Sequence, residues 1–189
     1  MNSVNVANGL TVVRILLIPV VVLALLSREP GAWAVAAAVF FLAASTDGLD
    51  GYLARARGSV TNFGKVMDPV ADKLLIAAAL VSLVSLERLA AWVAVVVIAR
   101  ELAVSGLRIA AGRQGTIISA SSLGKAKTMA QVLTVLALIL APDPEATWAL
   151  VLVFGCVGIT VISGIDYFLS YRRRVEGGRR PESGGAPVG

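Results

Sequence analysis

Six long apolar segments follow one another along the chain and constrain its fold more than any other feature. They comprise residues 10–26, 32–56, 65–86, 89–111, 122–141 and 147–171. A helix of about 20 mostly apolar residues can cross the hydrocarbon core of a bilayer. The first segment could instead be the apolar region of a signal peptide, but no clear small-residue cleavage site follows it. The pattern therefore predicts an all-α integral membrane protein with six transmembrane helices.

Composition agrees with a lipid environment. Of the 189 residues, 57% are hydrophobic and 15% are charged, and the mean hydropathy is +0.83. Soluble domains are nearer half apolar and about a quarter charged. The net charge of +5 would be compatible with nucleic-acid binding in a soluble protein. Here the basic residues flank the apolar segments, which favours the membrane surface as their partner and predicts no nucleic-acid ligand.

Basic residues are distributed unevenly between the connections. Most lie beside the second and fourth connections and in the tail: Arg55, Arg57, Lys65, Arg108, Arg113, Lys125, Lys127, Arg172, Arg173, Arg174, Arg179 and Arg180. The positive-inside rule then places both termini and these connections in the cytoplasm. We expect one multi-pass domain in the cell membrane over residues 1–174. Residues 175–189, rich in glycine, proline and charge, are predicted to be a disordered cytoplasmic tail.

Two absences narrow the chemistry. The chain has no histidine, and its only cysteine, Cys156, lies inside an apolar run. A histidine base, an imidazole zinc site, a disulfide within the chain and a thiolate metal cluster are therefore excluded. A bound metal must have oxygen ligands, which are the ligands that Mg²⁺ and Mn²⁺ prefer.

Four aspartates lie where the second and third apolar segments meet. Asp47 and Asp50 are three residues apart, and Asp68 and Asp72 are four apart, so each pair shares one helix face. The short connection makes the two segments antiparallel neighbours, which brings the four carboxylates together. Salt bridging to nearby lysine and arginine is the alternative, but carboxylates at membrane depth are costly and are by default functional. Like charges this close repel unless cations lie between them, so we expect two divalent ions here.

These residues also carry a family resemblance. The pattern Asp47-x2-Asp50-Gly51-x2-Ala54-Arg55-x8-Gly64-x3-Asp68-x3-Asp72 resembles the signature of the CDP-alcohol phosphatidyltransferase family, with every position filled. The resemblance implies six spans, a polar cavity facing the cytoplasm and a homodimer. It implies that the four aspartates hold the metals and that Asp72 is also the general base. Contacts with the CDP group are implied for Gly51, Ala54, Arg55 and Gly64.

The mechanism expected for such a site needs a base for the acceptor hydroxyl. Without histidine, a carboxylate is the natural choice, and Asp72 is well placed for it. Lys73 is the competing candidate, but a lysine beside metal-bound carboxylates should stay charged and be a poor base. The metals would neutralise the pyrophosphate of a CDP-activated lipid and stabilise CMP as it leaves.

Four further cations lie in the second half of the chain: Arg100, Arg108, Lys125 and Lys127. We expect them to converge as a pocket for a phosphorylated acceptor, because guanidinium and ammonium groups pair with phosphate. The alternative is that they are interfacial residues contacting lipid head groups, which we prefer for Arg113.

The sequences around these cations resemble the phosphatidylglycerophosphate synthase branch of the family. The similarity runs from about Asn5 to the fifth segment, and the sixth segment adds nothing specific; the opening Asn5-Val6-Ala7-Asn8 departs from that branch. It implies transfer of a phosphatidyl group from CDP-diacylglycerol to sn-glycerol 3-phosphate. Inositol phosphate and phosphatidylglycerol are the alternative acceptors. A divalent-cation transporter is the alternative of another class, but it predicts acidic residues spread through the depth of several spans.

Overall fold

A computed structural model describes the backbone of residues 3–27, 29–57, 62–113 and 122–177, and the side chains of residues 9, 11–27, 29–46, 70–113 and 122–174. Its regular structure in these ranges is entirely α-helical. The helices are α1 (Ser3–Leu26), α2 (Ala32–Arg57), α3 (Asn62–Ser85), α4 (Ala91–Arg113), α5 (Ser122–Leu140) and α6 (Thr147–Gly177). Each coincides with one predicted apolar segment, so the all-α prediction is confirmed.

Three helices extend by three residues or more beyond the apolar segments that predicted them. α1 begins at Ser3 rather than at residue 10, and α3 begins at Asn62 rather than at residue 65. α6 continues to Gly177, so the expected start of a disordered tail at residue 175 falls inside a helix. Hydropathy marks only the part of a helix that lipid can solvate, whereas backbone hydrogen bonding continues into polar sequence. Residues 178–189, the rest of the predicted tail, lie outside the described part of the chain.

The helices pack as two groups that meet along α2, α3 and α5. α1 packs against α2 and α3, while α6 packs against α4 and α5. α5 also contacts α2 and α3, and α3 contacts α4. The C-terminal parts of α2, α4 and α6 meet the N-terminal parts of α3 and α5, so the helices alternate in direction and these helix ends lie at one end of the bundle. We call this the basic end, because most of the lysine and arginine residues lie near these helix ends in the sequence.

Apolar side chains fill the space between the helices and also cover the outside. Val21, Phe40, Leu75, Leu83 and Leu138 are almost completely buried. The outer faces nevertheless carry large apolar side chains that are at least 60% exposed, among them Leu16, Leu23, Leu42, Val95, Leu102, Ile109, Met129, Val151 and Phe154. Soluble monomers rarely expose so much contiguous apolar surface.

Two described helices are long and apolar enough to cross a bilayer. They are Ser122–Leu140 and Thr147–Arg174; shorter apolar stretches cover Thr11–Leu26 and Ala32–Thr46. Together with the apolar outer surface, they indicate a membrane protein.

Arg88, in the connection between α3 and α4, contacts both α2 and the end of α5 opposite the basic end. Its guanidinium carbon lies 4.5 Å from the ring centroid of Trp33, at the start of α2. Its Nε donates to the carbonyl of Leu138 at 3.0 Å, and its Nη2 donates to the carbonyl of Ala141. These carbonyls lie at the end of α5, where a helix leaves backbone acceptors unpaired. Partial burial lowers the pKa of Arg88, and the nearby Asp143 carboxylate opposes that shift.

Candidate functional site

A cavity of about 770 Å³ opens among α2 to α6 in the half of the bundle near the basic end. Seven charged residues line it: Asp72, Lys73, Arg100, Glu101, Arg108, Lys125 and Lys127. Small-molecule sites are typically clefts of roughly 300–1,000 Å³ with a few convergent polar groups. The cavity is therefore large enough for a small charged substrate.

The four aspartates of the motif lie on two helices that contact each other. Asp47 and Asp50 belong to α2, and Asp68 and Asp72 belong to α3, so the helical spacing assumed for each pair is present in the backbone. Asp72 is half-buried and lines the cavity. The side chains of the other three lie outside the described residues, as do the surroundings of Gly51, Ala54, Arg55 and Gly64.

The donor set is compatible with a hard divalent cation. Carboxylates are the ligands that the motif supplies, and two pairs on adjacent helices can approach one ion from two sides. Among the side chains that the structure describes, no three acidic or cysteine residues gather into a metal site. This result is expected, since of the four aspartates only Asp72 has a described side chain.

A buried ion pair connects α4 and α5 at the cavity wall. Lys127 is 5% exposed, and its Nζ is paired with Oε1 of Glu101. The same oxygen lies 3.3 Å from Nη1 of Arg100. An ammonium group at this depth would be strongly destabilising without a counter-charge. Glu101 supplies that charge, and the Asp72 carboxylate adds a weaker electrostatic attraction to Lys127.

Side chains of α6 hold the arginines of α4. Nη2 of Arg100 donates to Oγ of Ser163 at 2.9 Å, and that hydroxyl donates to the carbonyl of Thr160 at 3.0 Å. A Cβ atom on Gly164 would lie 3.2 Å from Cγ of Arg100, which is tighter than ordinary contact. Farther along the helix, the ring centroid of Tyr167 lies 5.8 Å from the guanidinium carbon of Arg108.

The four predicted acceptor-site cations line one cavity, but they are not equivalent. Arg108 and Lys125 are exposed, whereas Arg100 and Lys127 share Glu101 as a partner. The four cations expected at the acceptor site are therefore two exposed cations beside two cations that a shared carboxylate compensates. Arg113, for which a lipid-facing position was preferred, is exposed and is not among the described residues that line this cavity.

The polar residues of α6 had no predicted role, although their helical spacing distinguishes them in the sequence. Cys156, Thr160, Ser163 and Tyr167 recur at helical spacing in a mostly apolar segment, and all four are buried. Ser163 and Tyr167 line the cavity. The buried hydroxyl of Tyr167 has no hydrogen-bond partner in the described structure. Arg14 also had no predicted role. It lies within the first apolar segment and is only 1% exposed.

Comparison with known proteins identifies the chain's relatives. The family model for CDP-alcohol phosphatidyltransferase matches residues 4–162, from α1 into α6. The CDP-diacylglycerol–glycerol-3-phosphate 3-phosphatidyltransferase of Bacillus subtilis is 40% identical over 180 residues, covering 87% of this chain and 93% of its own length.

Two further relatives extend the similarity to other bacteria. A probable phosphatidylglycerophosphate synthase of Mycobacterium tuberculosis is 40% identical over 183 residues, covering 95% of this chain and 87% of its own length. The enzyme of Rickettsia felis with the same name as the Bacillus protein is 34% identical over 174 residues, covering 89% of this chain and 96% of its own.

Proposed function

The chain belongs to the CDP-alcohol phosphatidyltransferase family and is a phosphatidyltransferase, and we propose that it acts on CDP-diacylglycerol and sn-glycerol 3-phosphate. An oxygen of glycerol 3-phosphate forms a bond to the phosphorus that carries the diacylglycerol. The bond from that phosphorus to CMP breaks, giving phosphatidylglycerophosphate and CMP. Relatives named for this reaction match most of the chain, and their own lengths are almost fully covered.

The observation that carries this proposal is the composition of the cavity wall. The cavity brings Asp72, a candidate base, together with Arg108 and Lys125, two exposed cations suited to phosphate. A small phosphorylated alcohol needs both features within one site: a group that accepts the hydroxyl proton and a group that binds the phosphate. A cavity of about 770 Å³ is large enough for such an acceptor.

We assign metal binding to Asp47, Asp50, Asp68 and Asp72, with two Mg²⁺ or Mn²⁺ ions. Their places on two contacting helices and their purely oxygen donors support the assignment. When bound, the ions supply charge neutralisation to the pyrophosphate of the donor and to the departing CMP. Gly51 and Ala54 would leave room for the CDP group, while Arg55 and Gly64 complete the proposed CDP contacts.

The remaining roles belong to side chains of the cavity. Asp72 takes the proton of the attacking hydroxyl. Arg108 and Lys125 bind the acceptor phosphate, and the planar fork of Arg108 can engage two phosphate oxygens at once. Arg100 and Lys127, held by Glu101, add positive potential deeper in the cavity at a lower cost of desolvation than unpaired cations would incur.

The proposed topology has six transmembrane helices in the cell membrane, with both termini and the basic end in the cytoplasm. The alternation of the helices and the positive-inside rule support it. The cavity lies in the half of the bundle near the basic end, and so on the side where a water-soluble phosphorylated acceptor would be available. A homodimer completes the proposed assembly.

The decisive experiment measures CMP release by the purified protein from CDP-diacylglycerol in the presence of Mg²⁺. We expect release with glycerol 3-phosphate and little with inositol phosphate or phosphatidylglycerol. Preference for either of the other acceptors would support the proposed phosphatidyl transfer but reject glycerol 3-phosphate as the acceptor. Movement of Mn²⁺ into liposomes without any CMP release would reject the enzyme and favour the transporter.

A further inference from the structure

The two arginines on the cavity side of α4 need an external support in order to act on a phosphate, Arg108 by contact and Arg100 by its positive potential. Both are long side chains that lose rotamer entropy when they are fixed. A ligand that must order them itself is bound more weakly than one that meets them already in place. Preorganisation of these side chains therefore bears directly on affinity for the acceptor.

For Arg100, that support comes from α6. Ser163 is almost fully buried, and its hydroxyl proton is committed to the carbonyl of Thr160. The oxygen of Ser163 is thus oriented as an acceptor toward Nη2 of Arg100, at 2.9 Å. Beside it, Gly164 leaves the space through which the stem of Arg100 passes, since a Cβ atom there would lie 3.2 Å from Cγ. Ser163 orients the guanidinium group of Arg100, and Gly164 leaves room for the aliphatic part of that side chain.

For Arg108, the support is an aromatic ring. Tyr167 is 5% exposed and lines the cavity, whereas Arg108 is exposed. The separation of 5.8 Å between the guanidinium carbon and the ring centroid is within the range of a cation–π contact. Because the ring is buried, its position is fixed, and its contact with the exposed guanidinium group of Arg108 restricts the orientation of that group.

The residues involved form one surface of one helix. Ser163, Gly164 and Tyr167 are spaced so that they lie on the same face of α6, and α6 packs directly against α4. We infer that α6 is the positioning element of the acceptor site: Tyr167 holds Arg108 in the orientation that binds a phosphate, and Ser163 and Gly164 hold Arg100 where its positive potential attracts that phosphate. This inference rests on the proposed function only for the identity of the acceptor; the binding of a phosphate group by these arginines does not depend on it.

The test compares steady-state kinetics of Ser163→Ala, Gly164→Ala and Tyr167→Leu with each substrate varied separately. We expect the KM for glycerol 3-phosphate to rise roughly tenfold in each variant, because a charge-assisted contact is lost or displaced. The KM for CDP-diacylglycerol and the unfolding midpoint in detergent should change little. Tyr167→Phe should recover most of the loss seen in Tyr167→Leu, since it keeps the ring.

Gly158→Ala is the matched control for Gly164→Ala. Both residues lie on α6, but a Cβ atom on Gly158 would have no atom of a neighbouring helix within 4 Å. The control should keep the wild-type KM for both substrates. If Ser163→Ala and Tyr167→Leu leave the KM for glycerol 3-phosphate within twofold of wild type, or raise both KM values alike, the positioning role of α6 is wrong.

Binding of inorganic phosphate separates this inference from the proposed function. Calorimetry on the purified proteins should show weaker phosphate binding by the three variants than by wild type and Gly158→Ala, whether or not turnover occurs. Wild-type protein that releases no CMP with glycerol 3-phosphate would overturn the proposed function. Equal phosphate affinity in all the proteins would overturn the positioning role alone.

Discussion

Lys127 of α5 and Glu101 of α4 form a buried ion pair at the wall of the cavity. The two residues are far apart in the sequence, and their pairing joins helices that are connected through the basic end. Arg100 contacts the same carboxylate oxygen, so Glu101 compensates two cations at once. The pair therefore serves both the packing of α4 on α5 and the electrostatics of the cavity.

Glu101→Gln should destabilise the protein by about 3 kcal/mol, because it leaves the buried Lys127 without its counter-charge. Unfolding in mixed detergent micelles, followed by circular dichroism, measures the change. The double variant Glu101→Gln with Lys127→Gln should lose less than the sum of the two single variants. Glu145→Gln, at an exposed position of the opposite end, is the control. Additive losses would mean that the pair contributes no coupling.

Arg108→Ala should reduce kcat/KM for glycerol 3-phosphate by roughly ten- to a hundredfold, which corresponds to about 1.5–3 kcal/mol of lost charge-assisted binding. Arg108→Lys should recover little if the contact is bidentate, since an ammonium group lacks the planar fork. Kinetics with each substrate varied in turn provide the measurement, with Arg113→Ala as the exposed control. Equal losses for the two substrates would place the acceptor site elsewhere.

Asp47→Asn, Asp50→Asn and Asp68→Asn should each abolish CMP release through loss of metal, because an amide keeps the shape but not the charge that a divalent ion requires. A chelator should likewise stop the wild-type reaction, and added Mg²⁺ or Mn²⁺ should restore it. Excess Mn²⁺ should partly rescue at least one variant. Near-normal turnover in any two of the variants would contradict the metal assignment.

Asp72→Asn should also remove activity, but with a different signature if Asp72 is chiefly the base. The variant should retain measurable binding of CDP-diacylglycerol in equilibrium assays while its kcat falls, since the lost step is proton acceptance. Full turnover with a shifted pH optimum would instead implicate Lys73 or a bound water as the base.

Arg88→Ala should lower the free energy of unfolding by about 2 kcal/mol, because it removes a cation–π contact and two hydrogen bonds to the end of α5. Arg88→Lys should recover only part of this loss, since an ammonium group cannot reach both carbonyls and the ring. Both KM values should stay at their wild-type levels, because Arg88 lies at the end opposite the cavity. A selective rise in either KM would show that this end communicates with the site.

Much of the architecture and part of the site followed from the amino-acid sequence. Apolar segments of spanning length predicted all six helices, because a segment that lipid can solvate must satisfy its own backbone hydrogen bonds. The spacing of Asp47, Asp50, Asp68 and Asp72 predicted the family. Arg100, Arg108, Lys125 and Lys127 line one cavity, and their role as an acceptor site stays a prediction.

Only the tertiary structure decided which side chains contact one another across helices. These contacts depend on the rotation and register of α4, α5 and α6. They include the ion pair of Glu101 with Lys127 and the contact of Arg108 with the ring of Tyr167. Arg100 likewise meets Ser163 and Gly164 only because α6 packs on α4 in this register. A soluble helix reveals its inner face by being polar on the other side. A helix that lipid surrounds is apolar on both faces, so its sequence predicts that it spans the membrane but not which face meets its neighbours.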